Sequence, residues 1–340
     1  MSEKRAVVVP VSDAETVRNG LLVKGVLDHE RKIKTVNSNG NMFLEIPVTG
    51  NVKGMDTIEQ SSPEYYRKHQ SLMERLEDII PEKDLQLLPS GWHVVGRTII
   101  VSIDKRIEEH KHLIALKLLE IYPHCHTVVR DLGIEGQFRQ PKREILAGIS
   151  TETVHKENSC LFSLDITKVM FSKGNLYEKK LMSKVGSGEV IVDMFAGIGY
   201  FSIPIAVHAR PAKIYAIEIN PESFEYLQEN IRLNKVEHIV EALNGDCAMI
   251  TPQGVADRVL MGYVGTTHEY LEQGIKAIKS TGGMLHYHET VPEKLMFGRP
   301  VSRITDAAAR EGRQVEIREC RRVKKYSPGV WHVVVDAWIQ

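Results

Sequence analysis

EVIVDMFAGIGYF, residues 189–201, decides the fold. The apolar run Val190–Val192 leads through Asp193 into a turn carrying Gly197 and Gly199, the pattern of a buried strand handing over to a helix. Glycine lets the backbone approach a ligand closely, and the helix that follows offers its first amides to electronegative groups. A G-x-G spacing alone is a weak signal, because many such pairs are ordinary turns. Its surroundings strengthen it. From Glu189 onward apolar strands (EVIVDMF, KIYAIEI, HIVEALN, RVLMGYV, GMLHYHE) alternate with amphipathic helices such as PESFEYLQENIRLN. That alternation builds a parallel sheet with right-handed crossovers. After a helix around SRITDAAAREG, the segments QVEIRECRRVKKYS and GVWHVVVDAWI flank a turn at Ser327-Pro328-Gly329, so the final strand runs antiparallel.

A mostly parallel α/β sheet closed by a C-terminal antiparallel hairpin resembles the class I S-adenosylmethionine (SAM)-methyltransferase-like Rossmann fold. Its strand ends then read as a nucleoside site. Glu218 ends the second strand, where a carboxylate accepts ribose hydroxyls. Asn220 with Pro221 already fills the role of helix cap, which leaves Glu218 for a ligand. Asp246-Cys247 ends the third strand and suits an adenine amino group, although an isolated Asp there would more often be a turn residue. No third glycine arrives at dinucleotide spacing and no Gly-Lys-Ser/Thr follows the turn, which argues against NAD and a P-loop.

The rest of the chain bounds the problem. Its 340 residues allow two or three domains, and 44 Lys plus Arg balance 44 Asp plus Glu, so a polyanion must be met by local clusters. Four scattered cysteines without C-x-x-C spacing read as free thiols in a reducing compartment, and no metal is expected. No apolar run reaches the length of a signal core or membrane span, so a cytoplasmic protein without a membrane is expected. Composition shifts divide the chain into a small strand–helix–strand module over 1–55, a charged linker with a central helix over 56–86, a middle α+β unit over 87–164, and the Rossmann-like domain over 165–340.

The motifs D193-MFAGIG, I217-EINP, G245-D246, D165-ITKVMFSKGN and I134-EGQFRQP together resemble the family that modifies position 37 of tRNA, beside the anticodon. Two activities share that scaffold: a tRNA guanine-N1 methyltransferase and the archaeal-type wybutosine-pathway aminocarboxypropyltransferase. The methyltransferase branch places an Asn-Leu-Pro-like motif at the end of the fourth strand. Here that place reads Met261-Gly262-Tyr263-Val264, and Gly283-Met-Leu-His-Tyr-His-Glu289 ends the fifth strand, both as in the aminocarboxypropyltransferase branch. The resemblance implies SAM as group donor, tRNA-Phe as substrate and no protein partner. It implies cofactor contacts at Phe171, Ser172, Lys179, Asp193, Phe195, Gly197, Gly199, Glu218, Asp246 and Cys247, with Gly262, Tyr263, His286 and His288 at the reacting centre. His286 and His288 are two apart on a strand and face one way. Two basic runs, with Arg139, Lys142 and Arg143 in one and Arg321, Arg322 and Lys324 in the other, are the expected RNA contacts, although a charge run is usually a solvated face. Trp92 and Tyr263 are candidates to stack on a base, with a core anchor the plainer role for Trp92.

Overall fold

The computed structural model describes residues 4–38, 41–65, 70–136, 140–171 and 174–340. Its contacts divide the chain into two units, Met1–Ser71 and Leu72–Gln340. In the first, β1 (Arg5–Pro10), α1 (Ala14–Val23), β2 (Lys34–Ser38), β3 (Asn41–Pro47) and β4 (Thr57–Glu59) form a sheet of order β2-β3-β1-β4 with one helix. Val7, Val9, Ile46 and Val48 bury against Leu21 of α1. The expected strand–helix–strand module thus carries two more strands, and β4, beyond residue 55, completes it by pairing with β1.

The second unit opens with α2 (Glu82–Leu85), β5 (Trp92–Val95), β6 (Thr98–Val101), α3 (Lys111–Ile121), β7 (Thr127–Glu135) and β8 (Gln140–Ala147), giving a sheet of order β5-β6-β7-β8. Ile114, Ala115 and Leu118 of α3 pack on Ile99, Val101 and Val128. Leu72, Leu76 and Ile80 join the same core. Residues 72–86 are therefore no linker, and their four-residue apolar spacing is met by successive turns and the single turn of α2, not by a long helix. Trp92 sits edge-on to Tyr122 at 6.0 Å and serves as a core anchor of this sheet.

Then follow β9 (Glu152–Glu157), β10 (Cys160–Asp165), α4 (Leu176–Met182), β11 (Val190–Asp193), α5 (Ser202–His208), β12 (Lys213–Glu218), α6 (Pro221–Leu233), β13 (Val240–Asn244), α7 (Cys247–Ile250), β14 (Arg258–Met261), α8 (Leu271–Ala277), β15 (Gly283–Pro292), α9 (Gly298–Arg310), β16 (Val315–Ser327) and β17 (Val330–Ile339). Seven strands form one sheet of order β13-β12-β11-β14-β15-β17-β16, parallel through β15, with β17 antiparallel to both its neighbours. Successive side chains of β11 enter opposite cores: Ile191 meets Leu227 and Ile231 of α6, and Val192 the side of α8 and α9. Burial on both faces explains why these strands read as continuous apolar runs.

Among the described residues the β9–β10 hairpin pairs with no other strand. Two amides on α6 dress one edge of β10 instead. Asn234 exchanges hydrogen bonds with Leu161 N–H and C=O at 2.8 and 2.7 Å, and Asn230 does so with Ser163 at 2.6 and 3.1 Å. A single core joins Val95, Ile100 and Val129 to Phe162, Leu164, Ile198 and Ile203, so the expected boundary at residue 164 falls inside shared packing.

Candidate active site

The parallel strands end along one edge of the sheet, and β11 lies between β12 and β14, the switch point at which open α/β sheets hold ligands. A cavity of about 680 Å³ opens there. One half is built from strand ends. Phe195 and Gly197 after β11, Glu218 of β12, Asp246 and Cys247 after β13, and Gly262 and Tyr263 after β14 all line it. Gly197 has φ +57, and a Cβ there would fall 2.4 Å from the Tyr200 ring. Phe195 stacks on Tyr263 at 5.4 Å and 26°, giving the cavity a flat aromatic wall.

Glu218 is not wholly at a ligand's disposal: it accepts the Gly197 and Asn220 amides, both at 2.8 Å. These bonds brace the glycine turn against the next strand, while each carboxylate oxygen keeps a second lone pair. Burial raises the pKa of Glu218. Asn220 caps α6 at 3.0 Å through the Glu222 amide, as its sequence position implies. Asp246 caps α7 through the Ala248 amide at 2.9 Å while facing the cavity, so its turn role and its wall position coexist. Burial pushes the Cys247 thiol up to about 12, which leaves it an inert small wall residue.

Two expected ligand contacts lie beneath the site. Asp193 is wholly buried, accepts Ser202 Oγ at 2.7 Å and lies outside the cavity wall. Burial raises its pKa to about 6. Gly199 is a packing glycine, because a Cβ there would strike Ile203 and Leu227. Both shape the turn without facing the cavity.

The other half of the cavity comes from distant segments. Phe171, Asn175 and Lys179 of α4 and the stretch before it meet Lys324 of β16 and His332 of β17, with Asp131 and Arg143 from the middle sheet. Lys179 is 4 % exposed, pairs with Glu157 at 2.7 Å and lies 4.8 Å from the Phe171 ring centre; burial lowers its pKa. Asn175 Oδ1 is buried without a partner among the described residues and waits for a donor. Ser172 and Arg139 lie outside the described residues.

The expected RNA contacts separate. Arg143 turns inward: it lines the cavity, donates to the Ile166 carbonyl, and burial lowers its pKa. Arg321 is an internal cation bonded to Glu178 through Nε at 3.0 Å and Nη2 at 2.6 Å, and also to Asp336. A phosphate would have to displace two buried carboxylates to reach it. Lys324 belongs to the cavity wall. Lys142 is exposed beside Glu135 at 3.8 Å, and Arg322 lies over Trp331 at 5.1 Å, so these two remain on the surface.

The two histidines of β15 do face one way, but into the protein. His286 bonds Asp336 at 2.7 Å and Arg258 at 2.5 Å, and His288 bonds His332 at 3.0 Å beneath the Phe201 ring. Neither lines the cavity; His332 does. Burial pulls His288 and His332 down to about 3. Burial would raise Asp336, but the hydrogen bond and charge of His286, then of Arg321, outweigh it and hold the carboxyl at about 2. His332 escaped sequence reasoning because only the β15–β17 register, with His332 opposite Thr290, brings it to the site.

These features suit a dipolar ligand with an apolar middle. Against known proteins, the TRM5/TYW2 methyltransferase domain matches residues 153–317, the TYW2 N-terminal domain 72–151 and the tRNA methyltransferase 5 N-terminal domain 6–56. The tRNA(Phe) (4-demethylwyosine(37)-C(7)) aminocarboxypropyltransferase of Methanocaldococcus jannaschii is 50% identical over 205 residues, 60% of this chain and 82% of that one. The tRNA (guanine(37)-N(1))-methyltransferase Trm5b of Pyrococcus abyssi is 35% identical over 334 residues, 97% and 98% of the two chains. Among solved structures, P. horikoshii TYW2 in complex with MeSAdo superposes with a TM-score of 0.71 at 40% identity, covering 79% of this chain and 97% of that one.

Proposed function

The chain belongs to the TRM5/TYW2 family, and we propose that it transfers the 3-amino-3-carboxypropyl group of SAM to a carbon of the tricyclic wyosine-precursor base at position 37 of tRNA-Phe, releasing 5′-methylthioadenosine. One observation carries this choice over guanine methylation. At Gly262 a Cβ would lie 2.9 Å from Phe201 Cε2, so an Asn at this strand end would push against a ring held over His288. The side chain that the methyltransferase branch is expected to carry at this place would be crowded by the Phe201 ring.

The residues present fit SAM. Glu218 would hold the ribose, Asp246 and Cys247 the adenine edge, and the unpartnered Asn175 Oδ1 would take the ammonium of the methionine end. Lys179 and Lys324 would supply positive charge for its carboxylate. The sulfonium of SAM activates all three attached carbons, so pose selects the one attacked. Fixing the tail at the α4 and hairpin side is the chain's means of presenting the γ-carbon. Tyr263, stacked on Phe195, offers a ring on which the incoming base can lie.

Lys142, Arg322 and Lys325 are the exposed cations proposed to meet anticodon-stem phosphates, and the first unit is proposed as a tRNA-recognition module. Among the described residues no helix is long and apolar enough to cross a membrane, and a cytoplasmic site of action follows from the tRNA substrate. The deciding experiment incubates tRNA carrying the tricyclic intermediate with SAM labelled separately in its methyl and carboxypropyl parts. Carboxypropyl label in the base with methylthioadenosine as by-product is expected. Methyl label in unmodified guanosine, with S-adenosylhomocysteine released, would replace this reading with the position-37 methyltransferase.

A further inference from the structure

The proposed transfer must remove a proton from the attacked carbon, and most candidate bases in the cavity wall are otherwise engaged. Glu218 holds two backbone amides, Asp246 holds Ala248 N–H and Asp131 holds Gly133 N–H at 3.1 Å. Lys179 is paired with Glu157. His332 differs: it lines the cavity, is 1% exposed, and its one hydrogen bond among the described residues joins Nε2 to His288. Nδ1 is left for a ligand. Its level in the sheet also suits the chemistry. His332 pairs with Thr290, whose hydroxyl donates to the Val264 carbonyl at 2.9 Å, tying β17 to the Gly262–Val264 strand end.

We propose that His332 is the proton acceptor of the transfer reaction and that His288 is its positioning residue; the inference rests on the function proposed above. The carbon–carbon bond forms as the bond between the γ-carbon and sulfur breaks, its electron pair staying on the sulfur of methylthioadenosine. The hydrogen of the attacked carbon then leaves as a proton to the imidazole lone pair, and the C–H electron pair restores the aromatic ring. Full burial of His288 under Phe201 fixes the ring that fixes His332. The pair stays neutral because burial first, and then His286 on β15 and Arg321 and Lys324 on β16, oppose a further positive charge, against the weaker pull of Asp336 on β17 and Glu178 on α4. A neutral imidazole held in this way stays competent in mild acid, since the protonated ring intermediate is a far stronger acid than either histidine.

Saturating turnover by the wild type should therefore stay flat between about pH 5.5 and 8. A fall centred near 6.5 would overturn the assignment in favour of an imidazole with its ordinary pKa. His332→Asn should lower the transfer rate by about 10² or more while SAM affinity stays within about twofold. With a base deuterated at the attacked carbon, the variant should show a primary isotope effect absent from the wild type, because proton loss has become slow. A retained rate, a rate loss that tracks lost SAM affinity, or no isotope effect would each overturn the proposal. Should His332→Asn fail to fold, the wild-type pH profile still decides. Methylthioadenosine release by the wild type reports on the parent reading alone: its absence sinks the function, whereas release with an undiminished His332→Asn sinks only this inference.

Discussion

The two halves of the cavity are made differently. The strand-end half is local: each of Gly197, Glu218, Asp246 and Gly262 sits just past or at the end of its own strand, and the bracing is by backbone amides to carboxylates. The hairpin half, with Lys179, Lys324 and His332 in its wall, rests on a buried network assembled across more than a hundred residues, with Glu178 joined to Arg321, Arg321 to Asp336, Asp336 to His286 and His286 to Arg258. A half whose carboxylates are met by neighbouring backbone amides tolerates change one residue at a time. A half made of buried charge does not, because removing one partner leaves another uncompensated.

Arg321→Ala tests this contrast most severely. It strands Glu178, 1% exposed, and Asp336, 9% exposed, without their shared cation. A loss of roughly 3–5 kcal/mol in unfolding free energy is expected, read as a lower denaturant midpoint at unchanged slope. A loss below about 1 kcal/mol would mean that water reaches the network and that the two halves do not differ.

The halves also titrate in opposite senses. Asp193 beneath the strand-end half is raised to about 6, so its unfavourable burial is absent below the unfolded value of 3.8 and complete above about 6. It makes the fold more stable as pH falls through that window, by on the order of 3 kcal/mol. His288 and His332, depressed to about 3, act the other way: below 6.5 the unfolded chain takes up protons that the folded chain refuses, so they cost stability as pH falls. Asp193→Asn should therefore steepen the loss of stability between pH 6.5 and 4, and His288→Leu should flatten it. Identical acid profiles for both variants would dissolve the opposition.

The same contrast explains what the sequence made legible. The glycine turn at 197–199, the capping pair Asn220–Pro221 and the acids at 218 and 246 act within a few residues of where they are written, so spacing exposes them. Basic runs are only partly legible for the complementary reason: RECRRVKK is one run in the chain, but on β16 Arg321 points inward to Glu178 while Arg322 lies over Trp331. A period of two on a strand next to a buried sheet splits any charge run between core and solvent. His332 and the strand-edge amides Asn230 and Asn234 depend on register and packing that no local pattern records.

Glu218→Gln probes the strand-end half more gently. It should weaken SAM binding by about 1.5–3 kcal/mol in calorimetry, the range for hydrogen bonds with one charged partner, with little change in the buried charges of the other half. Unchanged affinity would return Glu218 to a purely structural brace for the Gly197 and Asn220 amides.

The smallest effect is expected where the hairpin leaves the cavity. Arg322 and Lys325 lie over Trp331 at 5.1 and 5.6 Å, and both are exposed. Exposed cation–π contacts are each worth about 0.5–1 kcal/mol, so replacing both with Ala should barely move the melting temperature. SAM affinity should not change, because neither residue lines the cavity. If these cations meet tRNA phosphates, the double variant should bind tRNA more weakly and lose about one unit of salt-dependence slope per contact. A slope equal to the parent's would leave Arg322 and Lys325 as packing for Trp331 and would move the search for stem contacts to Lys142 on the middle sheet.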